Sequence, residues 1–400
     1  MEFESTWAEL STVGKVRAGD GVTRLFGSSP ERELVNWFRG ECASRGLDTV
    51  TDPFGNMIGW FGGRPRGREG VLTASHFDSV PQGGAFDGAL GVVSGLAALD
   101  RIRDAGAAVE RPIGVGVFVE EEGSRFGQAC LGSRLATSAL SWSAARELRD
   151  AEGVALAEVA EGGESALLEG VACAVELHIE QGRQLDALGA QVGIVDRIWP
   201  HGRFRFEFLG EGNHAGSTPV DQRRDPVLPY AKAVLAAREL ASAPNLRATF
   251  GRVLVHPNST NSIPRSVVAW LDARADGQAE LDLLVADIIR AAELAATEGS
   301  VDLTIAVESM SAESRFDRRL AERSVTHRRS VTVSSCAGHD AGVLADAGIP
   351  ATMLLVRNPT GLSHAPSEHA SMPDCLAGID ALASLLRGLA STSDLALDTP

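Results

Sequence analysis

The spacing of apolar residues changes repeatedly along the first two hundred positions. From Glu31 to Arg45, Leu34, Val35, Phe38 and Cys42 fall at i, i+1, i+4 and i+8, which predicts an amphipathic helix. Asp52, Pro53, Gly55 and Asn56 then make a turn before a short strand, Met57 to Phe61. The run VLTASH predicts a strand that carries His76 out at its end. Gly83 and Gly84 let the chain reverse, and Asp87 opens a helix over about 88–104 whose apolar residues cover most of its circumference. A strand over Ile113 to Val119 ends in Glu120, Glu121 and Glu122, a polar helical stretch is expected through the 140s and 150s, and a strand over Val171 to Leu177 ends in His178. Strand and helix alternate, so a largely parallel sheet flanked by helices follows.

Near Pro200 the pattern shifts. In Arg203 to Leu209, three phenylalanines, Phe204, Phe206 and Phe208, alternate with Arg203, Arg205 and Glu207, as in a sheet with one wet face. Helices over about 226–243 and 279–298 and strands near Arg252 to Val255, Ser266 to Ala273 and Val301 to Val307 complete the order β, α, β, β, α, β of a split-βαβ unit. After Ser311 the α/β pattern resumes, with a strand at Ala351 to Val356, the loop SHAPSEH, and a last helix from about Pro373 carrying Leu376, Ile379, Leu382 and Leu386. The reading is one α/β domain, 1–200 and 312–400, interrupted by an inserted α+β domain, 201–311.

Composition narrows the function classes. Four hundred residues exceed the usual single core, and 53 acidic against 37 basic residues leave a formal charge of −16 with no basic cluster, which argues against a nucleic-acid partner. Cys42, Cys130, Cys173, Cys336 and Cys375 are odd in number and lack paired CxxC spacing, so reduced thiols are expected rather than disulfides or a thiolate metal site. MEFESTWAEL has neither the basic start nor the apolar core of a signal peptide, and no apolar run is long enough to span a membrane; a cytoplasmic protein is expected.

The chemistry is positional. His76, Glu121 with Glu122, His178 and His364 each lie at or just past the carboxyl end of a predicted strand, and Asp87 opens the helix after the first. In an open parallel sheet those ends converge on one crevice. Oxygen and nitrogen donors without thiolate suit two divalent ions, Zn²⁺ first, with Mn²⁺, Co²⁺ or Ni²⁺ also admitted. His76, Asp87 and His178 are assigned to one ion, and Asp87, Glu122 and His364 to the other, with Asp87 as the bridge. Asp78, two residues past His76, is expected to hydrogen-bond the other ring nitrogen. Glu121 is the candidate general base for a water shared by the ions. The alternative for Glu120 to Glu122 is a solvated charge run, and for an isolated His and Asp a satisfied polar corner.

The stretches HFDSVPQGGAFDGALGV, EEEGSRFGQACLGSR, ELHIEQG, GEGNHAGSTPVDQRRDP, STNSIP and GLSHAPSEH together resemble the M20 metallopeptidase superfamily, and within it the ureido and carbamoyl amidohydrolases: allantoate amidohydrolase, N-carbamoyl-L-amino acid hydrolase and β-ureidopropionase. The resemblance implies a di-zinc exopeptidase-like catalytic domain, an inserted lid and dimerisation domain, and hence a homodimer. It also implies a cis peptide between Asp87 and Gly88. Residue by residue it implies that Gln181 binds the ureido group, that His214 stabilises the oxyanion, reaching a partner subunit's site, and that Asn261 and Arg274 hold the substrate carboxylate. Read without the family, His214 and Asn261 could brace turns and Arg274 could be a strand-end ion pair. His339 and Asp340 could surround the site or simply pack. Arg223, Arg224 and Asp225 are read as bracing the next helix, and His201, His256, His327 and His369 as surface or structural.

The implied activity is hydrolysis of a small-molecule linear ureido carboxylate, allantoate first, releasing ammonia and carbon dioxide. N-carbamoyl-L-amino acid hydrolysis or β-ureidopropionase activity is the alternative, followed by a peptidase or deacylase of the wider superfamily and, remotely, a metal-stabilised binding protein without turnover. Arg357 to Thr360 stand where many relatives carry a more glycine-rich loop, expected to touch the substrate.

Overall fold

The structure, a computed structural model, describes residues 3–15, 17, 19–67, 69–106, 108–324 and 330–391; His327 lies outside them. Its strands in chain order are β1 (Asp48–Thr51), β2 (Met57–Phe61), β3 (Gly70–His76), β4 (Ile113–Phe118), β5 (Val171–Ile179), β6 (Val192–Ile198), β7 (His201–Leu209), β8 (Asn213–His214), β9 (Leu246–His256), β10 (Ser262–Ile263), β11 (Ser266–Ala275), β12 (Asp302–Ser311), β13 (Ser314–Arg315), β14 (Ser330–Ser335) and β15 (Ala351–Val356). The chain divides into two compact units, residues 1–197 with 315–400, and residues 198–314.

The larger unit is built on a mixed sheet in the order β1-β2-β4-β3-β5-β15-β6-β13, with β14 paired to β6. Its centre, β4-β3-β5-β15, is parallel, while β2 and β6 run antiparallel on either side. Every residue of β3, β4, β5 and β15 is buried. Helices cover both faces of a parallel sheet, which is why these strands read as unbroken apolar runs rather than alternating ones. The helix Ala89–Asp104 lies close on the sheet because a Cβ at Gly91 would meet the Leu177 carbonyl at 2.2 Å, and the helix Met372–Ala390 packs beside it. Leu96, Leu99, Val115, Leu177, Ile379 and Leu386 are among the fully buried residues where these layers meet.

One local expectation fails. The polar stretch of the 140s and 150s holds only a short helix, Trp142–Ala145, and a 3-10 turn, Leu156–Glu158. The Asp150 carboxylate accepts the N–H groups of Glu152 and Val154, and Gly153 takes φ +86°, so local side-chain capping wins over helix propagation. Strand β6, not anticipated from the pattern, closes the parallel centre from the antiparallel side.

The smaller unit has the split-βαβ topology, with an antiparallel sheet in the order β12-β7-β11-β9. Phe204, Phe206 and Phe208 point into its core under the helices Val227–Leu240 and Gln278–Glu298, and the intervening charged residues do not. A two-residue ribbon, β8 with β10, sets Ser262 opposite His214. Among the described residues no helix is long and apolar enough to cross a membrane.

Candidate metal centre and active site

The carboxyl ends of β3, β4, β5 and β15 deliver the site. His76 is the last residue of β3 and fully buried; its Nδ1 lies 3.0 Å from the Asp78 carbonyl. His178, in β5, sets its Nδ1 2.8 Å from the Ile179 carbonyl. A carbonyl only accepts, so each neutral ring carries its proton on Nδ1 and presents the Nε2 lone pair to the site. Both Nε2 atoms face Asp87 Oδ1, at 3.5 Å from His76 and 3.1 Å from His178. The opposite oxygen, Asp87 Oδ2, lies 3.6 Å from His364 Nε2, and Glu122 Oε2 lies 3.3 Å from that same nitrogen.

Two groups of donors result, His76 with Asp87 and His178, and Asp87 with Glu122 and His364, each drawn within 4.8 Å. Asp87 belongs to both, one oxygen to each. His76 Nε2 and Glu122 Oε1 are buried without a hydrogen-bond partner, which costs on the order of 1–3 kcal/mol per group and fits a pair of cations. Borderline nitrogen and hard oxygen donors suit Zn²⁺ or a neighbouring first-row ion. Without cations the charges compensate by holding protons. Burial opposes protonation of His76, but the carboxylates of Glu121, Asp78 and Asp87 outweigh it and raise its pKa well above the ordinary range. The Glu122 hydrogen bond, against burial, brings His364 up to about 9.

The three consecutive glutamates part company. Glu120 holds φ +52°, an uncommon conformation for a residue with a Cβ, and its Oε1 accepts the N–H groups of Arg125 and Phe126 at 2.8 and 2.7 Å. Glu121 turns the other way, its Oε2 3.6 Å from His76 Nε2 and its Oε1 accepting the Cys130 thiol at 3.4 Å. Burial, aided by the carboxylates of Asp340, Glu122 and Asp78 and opposed by His76, raises the Glu121 pKa well above the carboxylate range. A group placed there can take a proton and give it back.

Asp78 faces His76 as expected, its charge favouring the protonated ring, and has a further role. Its Oδ1 is 3.6 Å from His76 Nδ1, too long for a good hydrogen bond, and the nearer partner of that nitrogen is the Asp78 carbonyl. The carboxylate also accepts the N–H groups of Glu121 and Glu122, at 3.1 and 3.0 Å. The expected cis peptide is also not found: among the described residues only His256–Pro257 is cis, and Gly88 makes the bend with φ +65°. Gln181 donates to Asp87 Oδ2 at 3.0 Å and so stands between the candidate ligands of the second ion.

His339 and Asp340 are buried, the His339 ring 4.5 Å from that of His178. Glu176, His178 and His339 form a third group of possible ligands, but the oxygens of Glu176 already accept from Ser75 Oγ and Ala341 N–H, which makes it a strap between β3, β5 and the helix Asp340–Asp346. The Arg357 to Thr360 loop is rigidly built. Arg357 forks onto Asp374, and buried Asn358 donates to the Glu180 and Leu362 carbonyls while accepting from Thr360 and Gly361. The sequence reading missed Glu368, whose carboxylate accepts the Asp87 N–H at 3.0 Å; the one available signal was the acid within SHAPSEH.

In the smaller unit, His214, His256, Asn261 and Arg265 line one concavity of about 420 Å³. His214 Nδ1 accepts the N–H groups of Gly216 and Ser217, which leaves the proton on Nε2 as an outward donor. Arg223 holds that loop by donating to the Ala215 and Thr218 carbonyls, rather than bracing the following helix; Asp225 does that, by accepting the Val227 N–H. Asn261 Oδ1 accepts from Ser259 and frees its amide N–H groups. Arg274, by contrast, is paired with Asp272 at the far end of β11. The run from Ser266 to Arg274 spans about 26 Å at the ~3.3 Å rise of a strand. Asn261 and Arg274 of one chain therefore do not grip a single carboxylate together.

A family model for peptidase family M20/M25/M40 matches residues 72–388. The N-carbamoyl-L-amino acid amidohydrolase of Geobacillus stearothermophilus is 36% identical, over 96% of this chain and 97% of that enzyme. The allantoate amidohydrolase of Bacillus subtilis is 32% identical, over 93% of this chain and 94% of that one. Among solved structures, an amidase of the hydantoinase/carbamoylase family from Burkholderia vietnamiensis superposes with a TM-score of 0.90 at 28% identity, over 98% of this chain and 97% of its own.

Proposed function

The chain belongs to peptidase family M20/M25/M40, and on that premise we propose that it is a metal-dependent amidohydrolase cleaving the carbamoyl C–N bond of a linear ureido carboxylate with water, releasing ammonia, carbon dioxide and the corresponding amine. The observation that carries this is Asp87, one oxygen facing His76 and His178 and the other facing His364, with Glu121 beside them. His76, Asp87 and His178 would hold one divalent ion and Asp87, Glu122 and His364 the other; two such ions polarise a carbonyl and make a bound water acidic near neutral pH. Glu121 takes the proton of the attacking water and passes it to the leaving nitrogen. Gln181 turns its amide toward the ureido group once Asp87 is occupied by metal. The Nε2–H of His214 donates to the developing oxyanion, which gains more from a preorganised donor than the ground-state carbonyl does.

The outward Nε2–H of His214, the amide N–H groups of Asn261 and the guanidinium of Arg265 on one concavity support its use for an acceptor-rich ligand such as a carboxylate. A homodimer through this unit would let one chain's His214 complete its partner's site. Allantoate is the leading substrate. N-carbamoyl-L-amino acids are the second reading, favoured by the identity to the Geobacillus enzyme. Ammonia release from allantoate, a panel of N-carbamoyl-L-amino acids and N-carbamoyl-β-alanine, after reconstitution with Zn²⁺, Mn²⁺ or Co²⁺, decides between them. Preference for a carbamoyl amino acid overturns allantoate, and activity on none of them overturns the ureido reading.

A further inference from the structure

Glu368 is four residues past His364, on the loop before the helix Met372–Ala390, and only 4% exposed. Its Oε1 accepts the backbone N–H of Asp87 at 3.0 Å, across 281 residues of sequence. The loop that carries Asp87 is shaped to admit it: a Cβ at Gly84 would sit 2.1 Å from Glu368 Oε1, 2.3 Å from its Cδ and 2.6 Å from its Cβ. The second carboxylate oxygen, Oε2, is buried with no hydrogen-bond partner, so satisfying other protein groups does not explain why a carboxylate stands there. The charges nearest it are those of the site itself, the Asp87 carboxylate opposing its ionisation and His178 and His364 favouring it.

The two candidate ion positions differ in how firmly the fold holds them. His76 and His178 belong to fully buried central strands. His364 stands on a loop with its side chain 48% exposed and φ +55°, and no strand fixes its distance from Asp87. Glu368 joins these two loops by a hydrogen bond, beside the apolar contact of the Phe86 ring with His369. We propose that Glu368 is a positioning residue that clasps the Asp87 loop to the His364 loop, with Gly84 as the seat of the clasp, and so sets the ligand spacing for the second ion. The inference rests on the two-metal reading above.

The measurement is stepwise binding of Zn²⁺ to the metal-free protein against a competing chelator, with metal content after dialysis and Co²⁺ absorption as independent readouts. Wild type takes up two ions per chain. Glu368→Ala keeps the first ion at near wild-type affinity and weakens the second by about ten-fold or more. Glu368→Gln, which retains a carbonyl oxygen for the Asp87 N–H, recovers most of that loss. Gly84→Ala weakens the second ion in the wild-type background, because its Cβ displaces Glu368, and has little further effect in the Glu368→Ala background. That dependence is not expected of two unrelated packing defects. Circular dichroism of each metal-free variant confirms that it is folded before titration.

Equal two-ion binding by wild type and Glu368→Ala overturns the clasp, as does a Glu368→Gln variant no better than Glu368→Ala, or a Gly84→Ala loss that simply adds to that of Glu368→Ala. A folded wild type that takes up fewer than two ions overturns the two-metal reading itself, and the clasp with it.

Discussion

The carboxylate of Asp78 receives the backbone N–H of Glu121 at 3.1 Å, and that of Glu122 at 3.0 Å with its other oxygen. One buried side chain thereby holds the candidate base and a candidate ligand in register, directly after a Glu120 whose positive φ makes the bend. Asp78→Ala leaves two N–H groups without their acceptor and is expected to destabilise the protein by about 2–4 kcal/mol and to lower kcat far more than it raises KM. Urea unfolding beside steady-state kinetics checks both. A loss confined to the metal site of His76, with kcat intact in excess metal, would contradict this role.

Glu121→Gln keeps the shape of the site and removes the proton carrier. Metal content should stay at the wild-type level while kcat falls by about a hundred-fold or more. An active variant rules out the proton role. Mixing this protein with a His214→Ala variant, each inactive alone, should restore activity in mixed dimers if His214 serves the partner's site. Verified mixed dimers without recovery count against that crossing.

Asp87 offers one oxygen to each donor group, whereas His364 faces only the second. Asp87→Ala should therefore lose both ions, and His364→Ala chiefly one. Atomic emission after dialysis reads the stoichiometry directly, and identical losses in the two variants would sink the bridging assignment.

Removing metal should make stability depend on pH in a definite direction. His364 rises from its ordinary 6.5 to about 9, chiefly through Glu122, and contributes stability that is complete below 6.5 and lost as pH rises through 9. Burial raises Glu368 from 4.5 to about 8 and Glu120 from 4.5 to about 7, so each folded carboxyl retains a proton that the unfolded chain releases from about 4.5 upward. All three make the metal-free protein less stable as pH climbs from about 5 to about 9, and metal loading, which replaces protons at the His364 and Asp87 group, should flatten the slope. Calorimetric Tm at several pH values, with chelator and with Zn²⁺, tests this; a metal-free Tm that rises with pH across that window would be the wrong sign.

Much of the site could be read before any coordinates. His76 ends β3, His178 lies near the end of β5, and Glu121 and Glu122 follow β4, because a central parallel strand is a short apolar run and the first polar residues after it lie at the carboxyl end of the sheet. The alternation of Phe204, Phe206 and Phe208 likewise announced the antiparallel sheet of the smaller unit. What failed was local: a polar stretch read as a helix resolved into an Asx-capped turn at Asp150, because side-chain acceptors compete with helix hydrogen bonds over a few residues.

The sequence by itself therefore determined the fold class and which side chains stand at the carboxyl ends of the central strands, since both follow from the period of burial along a continuous chain. Tertiary structure alone decided what those side chains meet. It turned Glu120 toward the backbone of Arg125 and Phe126 and Glu121 toward His76, gave the Asp78 carboxylate to two glutamate N–H groups, separated Asn261 from Arg274 by the length of β11, and set Glu368 under Asp87. Such choices depend on rotamers and on contacts between residues distant in sequence, and no spacing rule along one chain encodes them.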